Sequence, residues 1–165
     1  MPSAEQLPAN REHAHATPWP EVQRRLTEGR LYWQATVHPD GRPHVRPILA
    51  IWLDEILYFV SQPTSRKARN LAAAAECTVT LDADDAHLVV EGTAERVAAE
   101  AVLQRVAAAY LSKYAWEVTV REGVFDADYG APTAGPPPYA LYQLRPSTVF
   151  AFGADETWSP TRYRF

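Results

Sequence analysis

The chain has 165 residues, of which 47% are hydrophobic, and a formal net charge of -4 at pH 7. This length and composition suit one globular domain with a sizeable core. The longest apolar runs fall far short of the roughly 20 residues that a membrane span needs, and the first residues lack the apolar stretch of a signal peptide, so we expect a cytoplasmic protein without a membrane partner. The acidic balance argues against a nucleic-acid partner. The single cysteine, Cys77, excludes an internal disulfide and a multi-cysteine metal site.

The start of the chain predicts an arm followed by a short helix. Residues 1–16 show no periodicity, so we expect a mobile arm there and a single domain over residues 17–165. His13 and His15 lack a third ligand nearby and fit a tail better than a metal site. Beyond the arm, early prolines and a first-turn acid predict a short helix that ends at Gly29.

Short alternating runs predict most of the domain as antiparallel strands. Residues 31–37 alternate with the period of a strand, and after a His-Pro-Asp-Gly turn residues 43–52 continue extended, which predicts a hairpin. Residues 56–60 are apolar on both faces, as in a central strand that is covered on each side. Further strands are predicted at 77–81, at 87–97 with a bend at Gly92, at 139–144 and at 147–152. Because tight turns join them, these strands predict a mainly β, α+β fold built on a barrel or curved sheet of six or seven antiparallel strands.

One long helix and one long loop interrupt the strands. Residues 98–114 carry an apolar stripe with the spacing i, i+3, i+4, i+7, which predicts a packed helix. Residues 121–138 are rich in Gly and Pro and too irregular for a regular element, so we expect a loop that closes over a site. If it closes, four aromatic residues would face a substrate: Tyr32, Trp33, Tyr129 and Tyr139.

A cluster of cations opens a predicted helix at residues 64–70, and no acid lies between positions 55 and 76. The first turn of a helix exposes unpaired N–H groups and a partial positive charge, which favour acids there and disfavour cations. Thr64 or Ser65 can cap this helix. Arg66 and Lys67 can supply a planar fork and a point charge, so the segment predicts a site for an anionic group such as a phosphate monoester. The alternative is a solvated helix face that aids solubility.

The order of these features resembles the pyridoxamine 5'-phosphate oxidase-like proteins, the flavin and deazaflavin reductases with a split β-barrel. The resemblance rests on the hairpin, on the strand end Tyr-Phe-Val-Ser at 58–61, on Ser-Arg-Lys at 65–67 and on the two strands that follow. It implies an FMN-binding split-barrel fold and a homodimer with the cofactor in a groove at its interface. By position it assigns the phosphate end to Ser61, Ser65, Arg66 and Lys67, and it places Arg46 and the backbone of Val60 near the cofactor. Thr64 is the remaining residue that we expect to bind the cofactor. Arg46 has an alternative partner in Glu91 across the sheet.

Two departures separate this sequence from the true oxidase. The lysine expected a few residues beyond Arg46 is replaced by the apolar run at 48–51, and the C-terminal Arg-x-His substrate signature is absent. Pyridoxamine phosphate is therefore not the expected substrate. The ending Thr-Arg-Tyr-Arg-Phe is similar to a subgroup of relatives whose nearest characterised cousins use FMN or the deazaflavin coenzyme F420.

Three interpretations of the function stay open at this point. The first is a flavin- or F420-dependent reductase or oxidase that transfers a hydride to a small conjugated organic substrate; the cofactor carries that chemistry, so no catalytic side chain is predicted. The second is a non-catalytic flavin- or haem-binding carrier of the same fold, and the third is a dimeric scaffold without a ligand. No metal is expected, and His44 and His87 fit ordinary strand residues.

Overall fold

Strands make up most of the chain, as the alternating sequence pattern predicts. The computed structural model describes residues 1–8, 15–130, 134–154 and 158–165. Its helices are α1 (Trp19–Glu28), α2 (Arg66–Ala73) and α3 (Glu100–Tyr114). Its strands are β1 (Ser3–Gln6), β2 (His15–Ala16), β3 (Tyr32–Val37), β4 (Pro43–Ile48), β5 (Ala50–Leu53), β6 (Ile56–Ser61), β7 (Glu76–Ala83), β8 (Ala86–Val97), β9 (Thr119–Arg121), β10 (Val124–Asp126), β11 (Ala140–Gly153), β12 (Trp158–Ser159) and β13 (Thr161–Arg164). None of the helices in the described ranges is both long and apolar enough to cross a membrane.

The main sheet is an open barrel whose two ends are linked by the chain itself. Hydrogen-bonded neighbours run in the order β4-β3-β7-β8-β11-β6-β5, and β13 and β1 extend the sheet from the second half of β11. β4 lies at one end of this path and continues through Leu49 into β5 at the other end. The single strand predicted over residues 43–52 is therefore two strands, and in the described part of the chain no ladder joins them. The prediction of a split barrel with six or seven antiparallel strands is confirmed.

β3 turns its polar face inward and its apolar face outward. Tyr32, Gln34 and Thr36 are buried, whereas Trp33 and Val37 keep 46% and 47% of their surface exposed. The alternation of a strand defines two faces but not which of them meets the core. Gln34 is paired with Arg46 and Thr36 with His44, so the polar part of this face lies beside polar residues of β4. The exposed apolar surface of β3 continues onto Val45 of β4.

The core consists of two clusters on opposite sides of β6. The first fills the barrel, and its largest members are Tyr32, Phe59 and Tyr163. The second packs α3 against the outer side of the barrel through Tyr110 and Tyr139. Tyr32 and Tyr139 are fully buried, so the expectation that they face a substrate is wrong for both.

Strands near both ends of the chain belong to the sheet, and one of them, Ser3–Gln6, falls within the predicted arm. Ser3–Gln6 pairs with β13, and Glu5 forms an ion pair with Arg162 at 2.5 Å. Tyr163 is buried against Trp19, with 4.9 Å between the ring centroids. Residues 9–14, including His13, lie outside the described residues. The N-terminal strand escaped prediction because all four of its side chains are exposed and its pairing rests on the backbone.

The segment predicted as an irregular loop over residues 121–138 starts with regular structure. β9 and β10 form a hairpin whose turn residues, Glu122 and Gly123, both have positive φ. Phe125 of this hairpin is fully buried and pairs through its backbone with Tyr139. The irregular part is therefore shorter and begins after Asp126.

Gly92 lies where β8 and β11 approach each other closely, which agrees with the predicted bend. Its Cα pairs with Pro146, and the register of β11 shifts between Pro146 and Thr148. A Cβ atom at Gly92 would lie 2.0 Å from the carbonyl oxygen of Arg145. The bulge itself is thus on β11, and the glycine makes room for it.

Candidate functional site

A cationic cavity lies where β4, the end of β6 and the start of α2 meet. Its volume is about 210 Å³. Its lining consists of His44, Arg46, Pro47, Ser61, Gln62, Ser65, Arg66, Lys67 and Ala134. We call it the cationic cavity below.

The start of α2 leaves two backbone donors unused at this cavity. Ser65 is the N-cap, and its Oγ accepts a hydrogen bond of 3.1 Å from the N–H of Ala68. The Oγ of Ser61 lies 2.6 Å from the Oγ of Ser65 and connects the end of β6 to this cap. Within the described residues, the backbone N–H groups of Arg66 and Lys67 have no hydrogen-bond partner. Such unpaired donors at a helix start are suited to an anion.

Three cations converge on the cavity without a carboxylate to neutralise them. No acidic group of the described chain lies within 4.0 Å of the side-chain nitrogens of Arg46, Arg66 or Lys67. Arg46 donates a hydrogen bond of 2.7 Å to the carbonyl of Val45 and is otherwise exposed. Lys67 is partly buried, and desolvation lowers its pKa to about 8. A partly buried cation with no carboxylate beside it gains from an anionic partner, so this arrangement is suited to an anion.

His44 joins the cavity through a chain of buried polar groups. Its Nδ1 lies 3.4 Å from the Oγ1 of Thr36, which accepts a hydrogen bond of 3.0 Å from the side chain of Asn70 on α2. Burial lowers the pKa of His44, and the charges of Arg46 and the α2 cations lower it further. The sequence pattern alone indicates an ordinary strand residue at His44, whereas the structure places it in the lining of the cavity. Its position two residues before Arg46, on the same face of β4, was the available signal.

The structure brings five of the seven predicted site residues into one lining: Arg46, Ser61, Ser65, Arg66 and Lys67. Thr64 is exposed and does not line the cavity. The side chain of Val60 is buried in the second core cluster and does not line it either. The alternative pair between Arg46 and Glu91 does not form, because Arg46 lies opposite Gln34 while Glu91 lies opposite Thr78.

The irregular loop reaches the cavity from the other side. Ala134 contributes to the lining, and the side-chain amide of Gln62 donates a hydrogen bond to the carbonyl of Pro136. Residues 131–133 of this loop lie outside the described residues. No group of three or more His, Cys, Asp or Glu side chains suited to a metal occurs in the described ranges.

The sequence matches the pyridoxamine 5'-phosphate oxidase family over residues 18–153, and the chain belongs to this family. The matched region includes the barrel, the whole cationic cavity and α3. No protein of curated function matches the sequence significantly.

Three solved structures illustrate the shared fold. A conserved hypothetical protein of Mycobacterium tuberculosis is 17% identical, with a TM-score of 0.68 over 90% of this chain and 92% of its own. A FAD-binding protein of Mesorhizobium loti is 21% identical, with a TM-score of 0.61 over 92% and 98%. A pyridoxamine 5'-phosphate oxidase-related, FMN-binding protein of Nostoc punctiforme is 19% identical, with a TM-score of 0.52 over 82% and 83%. At these identities the likeness is one of fold.

Proposed function

We propose that the protein is an oxidoreductase that binds FMN or coenzyme F420 and reduces or oxidises a small conjugated organic substrate. The observation that carries this proposal is the cationic cavity, where Arg46, Arg66 and Lys67 meet two unpaired backbone N–H groups and no described carboxylate. FMN and F420 both carry a phosphate group. Membership of the family, and relatives named for FMN or FAD binding, support a cofactor of this kind.

The residues present fit the phosphate end of such a cofactor. Arg66 can bind two phosphate oxygens with its planar fork, Lys67 supplies a point charge, and the N–H groups of α2 supply directional donors. The cavity of about 210 Å³ is smaller than the about 300–1,000 Å³ of sites that enclose a whole drug-sized ligand. We therefore propose that the cationic cavity binds the phosphate group and that the cofactor ring lies on the protein surface next to the cavity.

The protein's part in the chemistry is binding, orientation and exclusion of water. A flavin or deazaflavin ring held beside these residues would supply hydride transfer to or from the substrate. Ser61 and Ser65 fix the start of α2, so the donors of Arg66 and Lys67 are in place before the ligand arrives. The loop that carries Ala134 and Pro136 lies beside the cavity, where it can shield the ligand from water.

The test is a titration of purified protein with FMN, F420 and riboflavin, which lacks the phosphate. We expect FMN to bind at least about 100-fold more tightly than riboflavin, because each charged hydrogen bond contributes about 1.5–3 kcal/mol. The double variant Arg66→Ala/Lys67→Ala should lose this preference. Arg69→Ala is the matched control, since Arg69 is exposed on the same helix and does not line the cavity. Equal affinity of the double variant and the control for both FMN and F420 would contradict the proposal.

The alternative is a flavin or haem carrier, and spectra separate it from the enzyme. An enzyme oxidises its reduced cofactor when a conjugated acceptor is added, and the cofactor absorbance reports this. A carrier binds FMN tightly without such turnover, or shows a Soret band with haem. A carrier would bind its ligand in the same cationic cavity, so only the turnover measurement distinguishes a carrier from an enzyme.

We also propose that a second copy of the chain completes the cofactor groove. The exposed apolar residues Trp33, Val37 and Val45 share one face of the β3–β4 hairpin, and a further cavity of about 440 Å³ borders Val37 and Pro43. Exposed apolar patches of this kind mark protein contacts. Trp33→Lys should yield a monomer in light scattering, whereas Leu111→Lys, which changes an exposed leucine of α3, should not. A wild-type protein that is monomeric at micromolar concentration would contradict the dimer.

A further inference from the structure

A second cavity, distinct in its lining from the cationic cavity, lies between the end of α3 and the β4–β5 junction. Its volume is about 280 Å³. It is lined by Arg30, Leu49, Tyr114, Trp116 and Tyr129. Three of the five lining residues are aromatic and one is a cation, so we call it the aromatic cavity. It is not part of the site described above.

The aromatic walls of this cavity are held by contacts with their neighbours. Trp116 is buried and packs edge-on against Tyr110, with 5.2 Å between the ring centroids. The hydroxyl of Tyr129 donates a hydrogen bond of 3.1 Å to the carbonyl of Ala115, although 56% of the Tyr129 surface is exposed. The hydroxyl of Tyr114 donates to the carbonyl of Ala50 at 3.0 Å. These contacts therefore fix the orientation of the three rings toward a ligand in the aromatic cavity.

One cation, Arg30, lines this cavity, and a second, Lys113, lies near the Tyr114 ring without belonging to the lining. The Arg30 guanidinium lies 5.5 Å from the centroid of the Tyr114 ring, and the Lys113 ammonium lies 5.3 Å from the same centroid. Lys113 also donates hydrogen bonds of 3.0 Å to the Tyr32 hydroxyl and to the carbonyl of Ala50. Across the described ranges, neither cation has a carboxylate within 4.0 Å. Arg30 also borders a separate cavity lined by Glu28, Asp82, Asp84 and Asp85, but the lining of the aromatic cavity contains no acidic residue, so its guanidinium is the group there that favours an anion.

We propose that the aromatic cavity binds a flat conjugated or aromatic carboxylate, and that this is the substrate class of the enzyme. The exposed Arg30 fork matches the geometry of a carboxylate, and the rings of Tyr114, Trp116 and Tyr129 provide apolar surface for a flat body. The cationic cavity is lined by Pro47 and the aromatic cavity by Leu49, two residues further along the chain. The assignment as a substrate site therefore rests on the proposed function, whereas binding of the acid does not.

The test uses trans-cinnamate as the probe and cinnamamide as its neutral analogue, with binding measured by calorimetry on the full chain. We expect wild-type protein to bind cinnamate with a Kd of about 1 mM or tighter and the amide about 10-fold more weakly, because one charged hydrogen bond is lost. Arg30→Gln should weaken cinnamate about 10-fold and leave the amide unchanged. Arg42→Gln, a change to an exposed arginine of the β3–β4 turn, should leave both unchanged.

Two outcomes overturn the inference. In the first, wild-type protein shows no binding at a cinnamate concentration 10-fold above the expected Kd of about 1 mM. In the second, the Arg30→Gln variant binds cinnamate with the same affinity as wild-type protein. Loss of cinnamate binding in Arg66→Ala/Lys67→Ala alone would move the acid to the cationic cavity and also refute it. FMN affinity, measured on the same samples, keeps the two proposals apart. Protein that binds FMN but not cinnamate refutes this inference only, and protein that binds cinnamate but neither FMN nor F420 refutes the cofactor and, with it, the substrate assignment.

Discussion

Replacing Lys67 by methionine should make the ligand-free protein more stable while it removes phosphate binding. Desolvation lowers the pKa of Lys67 from 10.5 to about 8, and the cause is burial alone. At 1.36 kcal/mol per pKa unit, the charged form is destabilised by at most about 3 kcal/mol, and by less once solvent screening at this partly open site is included. We expect Lys67→Met to raise the free energy of unfolding by between about 1 and 3 kcal/mol at pH 7.

The stability difference between Lys67→Met and wild-type protein should depend on pH. The pKa of Lys67 is lower in the folded than in the unfolded protein, so the unfolded state binds more protons between pH 8 and 10.5. The penalty is complete below pH 8, shrinks as the pH rises through this window and is absent above it. The stability difference between Lys67→Met and wild type, measured by urea unfolding, should therefore decrease from pH 8 to pH 10.5.

A ligand experiment and a control complete the design. Inorganic phosphate should raise the melting temperature of wild-type protein, because it binds the folded state only, and should raise that of Lys67→Met much less. Arg69→Met, an exposed position on the same helix, should change neither stability nor the phosphate response. The reasoning is refuted if Lys67→Met is no more stable than Arg69→Met, or if its advantage does not change between pH 8 and 10.5.

Three further substitutions test the scaffold of the site. Ser65→Ala removes the N-cap of α2 and should lower the free energy of unfolding by about 1 kcal/mol in chemical denaturation, whereas Thr64→Ala, at an exposed neighbour that is not the N-cap, should leave it unchanged. Gly92→Ala places a Cβ atom 2.0 Å from the carbonyl oxygen of Arg145, so we expect a loss of at least about 2 kcal/mol; wild-type stability would show that the two strands separate freely. Tyr163→Ala empties a fully buried position and should cost about 3–5 kcal/mol, and a loss below about 1 kcal/mol would refute the core position of this residue.

The cationic cavity was predictable because its central part is local in sequence. The cap at Ser65 and the charges of Arg66 and Lys67 occupy one helical turn, and a run of residues without acids makes them conspicuous. The contribution of His44 and of Ala134 depends on how β4 and a distant loop approach that turn. Such approaches are set by tertiary packing, which alternation and capping do not report.

The faces of β3 and the ends of the chain show a second limit. Alternation gave the correct strand at residues 31–37, yet the apolar side chains of Trp33 and Val37 point away from the core. β1 carries no apolar pattern at all, and its place beside β13 comes from backbone hydrogen bonds. The aromatic cavity lies beyond sequence reasoning for the same reason, since its lining residues are spread from Arg30 to Tyr129.

No hydrogen-bonded ladder joins β4 to β5 in the described chain, and the unpaired edge of β4 has a consequence for solubility. An unpaired strand edge invites another chain to add to the sheet and so promotes aggregation. β4 has Pro43 and Pro47, which lack backbone N–H donors, and the charged Arg46 lies between them. The edge of β4 is therefore a poor template for the addition of further strands, while the apolar face of the β3–β4 hairpin stays available for the proposed contact with a second copy.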